Sequence, residues 1–322
     1  MSEIPIPTPS GLSPGDSLVK TWLVAARVPF LTASLMPAVA ATAACWRVAG
    51  SVRWGLAALT VVGLALIQAG ANLANDYFDH RSGSDPLNRN ATPFSGGSRV
   101  IQEGILSARA VLTAGVLCLA AGAACGIGLW LATPGHVVLG IGLCGGAIAC
   151  FYTAPPLRLA HRGLGELGIF IAFGVLPVLG VEWVQRGTLS WSVGWVGVPA
   201  GLLVAAILLV NEFPDAEADA AAGKRHLVVR LGRRRAVAVY ELLVLGAYGA
   251  VAAGVAAGWL PVWACLVVLV APLTWRAFRV LRAHHNDVRA MLPAQSATIA
   301  QQALFLLLLT GACLLDLALQ AG

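Results

Sequence analysis

The acids that could do chemistry in this chain gather in two short stretches. The first, NLANDYFDHRSGSD at 72–85, pairs Asn72 with Asp76 and Asn75 with Asp79, each four residues apart, so oxygen ligands share neighbouring faces of a helix. Asp85 follows the flexible Ser82-Gly83-Ser84 step and can fold back toward them. Three carboxylates and two amides within so short a stretch suit a hard divalent cation such as Mg²⁺, which takes oxygen ligands and shares its remaining positions with phosphate. The second stretch, NEFPDAEADAAAGKRHLVVRLG at 211–232, sets Asn211, Asp215 and Asp219 along one stripe, again at intervals of four.

Asn72 and Asp76 echo the first two positions of that second stripe, and each cluster ends a long apolar run and precedes a basic loop. This pattern suggests duplicated units whose clusters face one another across a cavity. Opposed carboxylates repel, and two Mg²⁺ ions bridging a diphosphate remove the conflict, with Arg99, Lys224, Arg225 and Arg230 available for the outer oxygens. A bound diphosphate is also a leaving group. Cations around it stabilise charge on the departing oxygens, which favours breaking a carbon–oxygen bond at an allylic carbon, and the apolar helices would supply a channel for an isoprenoid tail.

The elements that position these acids are membrane helices. Of the 322 residues 58% are hydrophobic and only 11% charged, against about 25% charged in soluble domains. Apolar runs of spanning length recur, and the polar outer faces a soluble helical core would need are missing. The expected fold is an all-α polytopic membrane protein with nine transmembrane helices around a central cavity. Their approximate positions are 20–46, 52–77, 109–131, 136–152, 167–183, 191–209, 236–257, 261–278 and 299–319. Residues 1–19, rich in Pro, Gly and Ser, read as a flexible tail without the pattern of a cleavable signal. Residues 20–322 read as a single transmembrane domain with long polar loops at 80–108 and 212–235.

With nine spans and a cytoplasmic amino terminus, eighteen of the 21 Lys and Arg residues fall on the cytoplasmic side, leaving Arg47, Arg53 and Arg186 on the other. This bias orients the protein in the cell membrane with both acidic clusters at the cytoplasmic face. The net charge of +6 is scattered between apolar runs, with no basic face for a nucleic acid. The seven cysteines lie in or beside apolar stretches and give neither a disulfide framework nor a zinc spacing. His284 and His285 are adjacent, point apart on a helix, and are assigned no chemistry.

The paired motifs NLANDYFD with GSD, and NEFPDAEAD with Lys224, resemble those of the UbiA superfamily of intramembrane aromatic prenyltransferases. GGSRVIQEG at 96–104 and YTAPPLRLAHRGLGE at 152–166 resemble the branch that prenylates 1,4-dihydroxy-2-naphthoate in menaquinone synthesis. The resemblance implies transfer of a polyprenyl group from its diphosphate to an aromatic ring, with Mg²⁺ held by Asp76, Asp79 and Asp85 on one side and Asp215 and Asp219 on the other. Asn72, Asn75 and Asn211 would orient carboxylates or complete the metal shell, and Tyr152 would shield the allylic cation through its ring. Glu166 is expected to organise the cytoplasmic loop or touch the acceptor, and Arg27 to serve the acceptor or a loop. Where a plainer motif has an acid four residues after Asp76, this chain has His80, leaving Asp79 and Asp85 to do that work. The competing readings are transfer to homogentisate or 4-hydroxybenzoate, terpene cyclisation, and, in a different class, membrane transport. Oligomeric state and prenyl length are not legible.

Overall fold

Glycine and alanine decide how closely the helices meet. The structure is a computed structural model that describes residues 10–13, 15–83, 92, 94–95, 97–153 and 156–321. In chain order its helices are α1 Leu18–Ala25, α2 Val28–Ala49, α3 Trp54–Ser82, α4 Ala108–Leu131, α5 Val137–Thr153, α6 Gly165–Arg186, α7 Gly197–Ala221, α8 Leu227–Leu231, α9 Arg233–Ala256, α10 Val262–His284 and α11 Leu292–Ala321. Where α3 crosses α4, a Cβ on Gly70 would lie 2.9 Å from the Gly115 carbonyl oxygen and 2.7 Å from Leu119 Cγ. Where α6 crosses α7, a Cβ on Gly174 would lie 2.4 Å from Gly201 Cα, and one on Gly201 2.6 Å from the Phe170 carbonyl oxygen. These contacts bring backbone against backbone, the small-residue packing that holds helices together where lipid removes the hydrophobic drive. At the second crossing α6 carries a π-helical stretch at Phe170–Val175.

The core runs along α2, α6, α7, α9, α10 and α11, through residues such as Ala41, Val181, Leu203, Val251, Val267 and Phe305. The apolar window of the span Trp191–Ala221, which α7 completes, is 72% buried against 17% for α4, so α7 is central and α4 peripheral. Leu117, Leu131, Leu242 and Leu269 point outward, as lipid-facing residues do. Among the described residues the one extended pairing is an isolated bridge between Thr92 and Ser95, so the fold is all-α.

Eight helices among the described residues are long and apolar enough to cross a membrane. The shorter α5, with 17 residues, reaches about 26 Å against a hydrocarbon core of about 30 Å. At 29 residues, α3 is about 43 Å long, about 13 Å more than that core, and its last turns carry Asn72, Asn75, Asp76 and Asp79. Asp76 and Asp79 therefore ride on continuing helix rather than in a loop, and α7, with 25 residues, carries Asp215 and Asp219 on its own last turns in the same way. The expected first span is divided. Helix α1 stops at Ala25 and Arg27 takes a left-handed conformation with φ of 53°, because Pro29 lacks the N–H that would continue the helix. Within residues 10–17, Leu12 is buried against the cluster of Leu73, Val100 and Val111, and the Ser10 backbone N–H donates to Glu103 Oε1 at 3.1 Å.

Candidate active site

Asp76 is the best-held acid of the first cluster. Asn72, one turn earlier on α3, donates from Nδ2 to the Ala26 carbonyl at 3.0 Å and pins the helix to the α1–α2 break. The left-handed turn at Arg27 then aims its guanidinium at Asp76 Oδ1, forming an ion pair. Asp76 Oδ2 accepts from the Ser98 backbone N–H at 3.1 Å and from Ser98 Oγ. Its side chain is 3% exposed. Three segments distant in sequence thus converge on one carboxylate, and charge-assisted bonds compensate its burial. Arg99, directly after Ser98, has a positive φ of 67° that turns the chain at this point. Asn75 and Asp79 are half-buried on the same helix end, and Asp85 lies outside the described residues.

The second cluster closes on itself through a turn. Helix α7 ends at Ala221, Gly223 takes the left-handed conformation with φ of 79°, and the Lys224 backbone N–H donates to the Asp219 carbonyl at 2.8 Å. A side chain at Gly223 would strain this turn. The reversal folds Lys224 Nζ over Asp219 Oδ2 at 3.0 Å. His226, fully buried, sets Nε2 3.4 Å from Asp219 Oδ2 and Nδ1 2.9 Å from Glu212 Oε2, contacts that are close without being aligned as hydrogen bonds. Burial pushes the His226 pKa down to about 4, although Asp219 pulls the other way. Asp215 is half-buried between Asn211 and Asp219 on the stripe. Asn211 Oδ1 accepts from Gln295 Nε2 of α11 at 3.0 Å, which ties the second cluster to the last helix.

The two clusters meet. Burial alone would lower the Lys224 pKa, yet the charges of Asp219, Asp79 and Asp215 outweigh it and hold the ammonium well above the ordinary lysine range. One cation therefore answers acids from both α3 and α7. Asp79 in turn lies within electrostatic reach of Lys224, Arg27, Asp219 and Asp76. Tyr152, at the end of α5, has Glu212, Glu166, Asp79 and Asp219 as its charged neighbours, and its hydroxyl approaches the Gly165 backbone so closely that a Cβ there would lie 3.2 Å away.

Other expected residues sit at the rim. Arg225 and Arg230 are exposed, and Arg230 Nε donates to the Arg225 carbonyl at 2.7 Å while its stem packs on Gly163. No group of three or more acidic, His or Cys side chains among the described residues forms a ready-made metal cage. The donors at the cluster faces are nevertheless all hard oxygens, and Mg²⁺ binds through one or two carboxylates plus substrate phosphates rather than a dedicated all-protein cage. The residue set fits such an ion.

Sequence reasoning missed Ser98, Glu212, His226 and Gln295. Glu212 and Asp219 are seven apart on α7, a separation that returns to the same helix face after two turns, and this signal was available. Ser98 and Gln295 carry no spacing signal, because their partners are brought to them only by tertiary packing.

The model of the UbiA prenyltransferase family matches residues 34–309. The chain is 32% identical over 264 residues to a 1,4-dihydroxy-2-naphthoate octaprenyltransferase of Mycobacterium leprae, covering 81% of this chain and 85% of that protein. It is 31% identical to a 2-carboxy-1,4-naphthoquinone phytyltransferase of Synechocystis, covering 83% and 84%. Among solved structures, a UbiA homolog from Archaeoglobus fulgidus bound to GPP and Mg²⁺ superposes with a TM-score of 0.61 at 15% identity, covering 92% of this chain and 99% of that one. With the family model spanning most of the helical region and relatives matched over most of their length, the chain belongs to the UbiA prenyltransferase family and is an enzyme of prenyl transfer.

Proposed function

We propose that the protein transfers a polyprenyl group from its diphosphate to 1,4-dihydroxy-2-naphthoate, a step of menaquinone synthesis. The observation that carries this reading is Lys224, paired with Asp219 at 3.0 Å and within electrostatic reach of Asp215 on α7 and Asp79 on α3. A cation at that junction is suited to a diphosphate lying between the helices. Asp76, Asp79, Asp215 and Asp219 would hold Mg²⁺, with Asp85 joining them. When bound, the ion supplies positive charge to the diphosphate oxygens as the carbon–oxygen bond breaks. Lys224 and Arg99 take outer oxygens, with Arg225 and Arg230 at the entrance. Arg27 and Ser98 fix Asp76 so that little reorganisation is needed on binding. Asn72 locks α3 to the Arg27 turn, Asn211 ties α7 to α11, and Asn75 orients its neighbouring carboxylates. The Tyr152 ring faces the allylic cation among the acids.

The naphthoate acceptor is supported by relatives whose names share that ring system while differing in the prenyl group, octaprenyl in one and phytyl in another. We further propose that α5 is a ninth span, its 17 residues extended by flanking interfacial residues, and that the amino terminus and both acidic clusters face the cytoplasm, as the distribution of basic residues favours.

The test is an acceptor and chain-length panel. Protein in lipid nanodiscs is given Mg²⁺, prenyl diphosphates of several lengths, and 1,4-dihydroxy-2-naphthoate, homogentisate or 4-hydroxybenzoate, and products are identified by mass. A prenylated, decarboxylated naphthalenediol supports the reading. Transfer to a different ring, or a hydrocarbon or alcohol with no ring added, contradicts it.

A further inference from the structure

Beside the Asp clusters lies a buried acid group that metal and diphosphate do not use. Glu166, in the first turn of α6, is 6% exposed, and neither of its carboxyl oxygens meets an aligned hydrogen-bond donor. Its charged neighbours are Glu212 and His226. His226 is itself fully buried with neither ring nitrogen in an aligned hydrogen bond. Among the described residues no Lys or Arg forms an ion pair with Glu166 or Glu212. The Tyr152 hydroxyl stands at the Gly165 backbone, next to Glu166, and the charged neighbours of Tyr152 are Glu212, Glu166, Asp79 and Asp219.

The Glu212 carboxyl lies within hydrogen-bonding reach of Glu166, and a pair that shares one proton still leaves buried carboxyl oxygens without a donor, which is costly. A ligand that brings a donor removes that cost, and the ligand's chemistry follows from the charge. A phosphate, or the acceptor's own carboxylate, would be repelled here and must face away, whereas a ring hydroxyl donates a hydrogen bond and carries no charge. Glu166 shares Tyr152 as a neighbour with Asp79 and Asp219, the acids assigned to the diphosphate, so a ring bound at Glu166 lies beside the bond that breaks.

We propose that Glu166, with Glu212 beside it, is the hydroxyl-binding end of the aromatic acceptor site. This rests on the prenyl-transfer reading and adds how the acceptor is recognised. Glu166 accepts a hydrogen bond from a ring hydroxyl. As the ring carbon forms its bond to the allylic carbon, the carbon–oxygen bond to the diphosphate breaks, its electron pair leaves with the diphosphate, and the hydroxyl proton passes to the carboxylate. Departure of the ring substituent as H⁺ or CO₂ restores aromaticity, and the proton returns to the ring oxygen. His226 is a positioning residue that sets Glu212 against Asp219.

The experiment uses full-length protein in nanodiscs and compares the preferred acceptor with its O-methyl ethers, by direct binding without prenyl diphosphate and by turnover with it. For the unaltered protein we expect each ether at the recognised hydroxyl to bind at least about tenfold more weakly, the worth of one good hydrogen bond. Glu166→Gln, whose amide oxygen still accepts but cannot take the proton, should lower turnover by about a hundredfold and keep part of the preference for hydroxyl over ether, whereas Glu166→Leu should erase that preference, with prenyl diphosphate affinity within about twofold in both. Equal binding of hydroxyl and ether by the unaltered protein overturns the proposal whether or not the variant folds. Unchanged acceptor kinetics in Glu166→Gln, or a matching loss of prenyl diphosphate affinity, overturns it too. If the unaltered protein modifies no aromatic ring at all, the prenyl-transfer reading itself fails, an outcome distinct from these.

Discussion

Replacing Asp76 by Asn removes one charge and almost no volume, and its effect can be worked from the contacts. The Asp76 side chain is 3% exposed and Arg27 22%. Taking one partner from a buried pair costs about 3–5 kcal/mol because the other charge is left unanswered. Water reaches part of Arg27, so the lower figure, about 3 kcal/mol, is the appropriate one. Asn can still accept from Ser98, so the fold around that loop should persist. Activity falls for a separate reason, loss of a carboxylate assigned to Mg²⁺, and should drop by roughly two decades in kcat/KM, at about 1.4 kcal/mol of transition-state stabilisation per decade. The assay is Mg²⁺-dependent consumption of prenyl diphosphate in nanodiscs, read beside thermal unfolding in detergent. Arg27→Gln combined with Asp76→Asn should recover much of the stability lost in the single variant, since no orphan charge remains, without recovering activity. Full activity in Asp76→Asn, or a double variant no more stable than the single, would refute the reasoning.

Three further outcomes follow from the same contacts. Lys224→Gln should raise KM for prenyl diphosphate by about 10–100-fold, the worth of a charge-assisted contact of about 1.5–3 kcal/mol, with Lys224→Arg recovering part of it; steady-state kinetics at saturating acceptor reads this. His226, whose pKa falls from 6.5 to about 4 on burial, contributes stability that is fully present above pH 6.5 and is lost as pH falls through 4. On the order of 3 kcal/mol is at stake, and in metal-free buffer the pH dependence of unfolding across that window should flatten in His226→Gln. Gly201→Ala forces a Cβ to 2.6 Å from the Phe170 carbonyl oxygen and should cost about 1–3 kcal/mol, whereas Gly140→Ala, with nothing within 4 Å of its new carbon, should leave the unfolding temperature unchanged.

The membrane class, the helical architecture and the oxygen-rich character of the site were legible because they rest on composition and on period, which are local. Asn211, Asp215 and Asp219 needed only a spacing of four to be placed on one stripe. What holds them was less accessible. The break before α2 turns on Pro29, yet its consequence, Arg27 swung onto Asp76, depends on α3 being pinned by Asn72, a contact 46 residues away in sequence. From sequence an ordinary basic loop residue explains Lys224 almost as well as a diphosphate contact does, and the Gly223 reversal is what brings it over Asp219. Glu212 stands one residue off the stripe of Asn211, Asp215 and Asp219 and carries no part in its spacing, while in the fold it lies against Glu166 and His226.

The account depends on α3 and α7 building one diphosphate site together. Mg²⁺-dependent binding of an unreactive prenyl thiodiphosphate to the full-length protein, measured calorimetrically for Asp79→Asn, Asp219→Asn and their combination, tests this most directly. A single shared site predicts that each variant alone loses most of the affinity and that the combination loses little more. Losses that simply add, or one cluster that binds the ligand at full strength without the other, would contradict it.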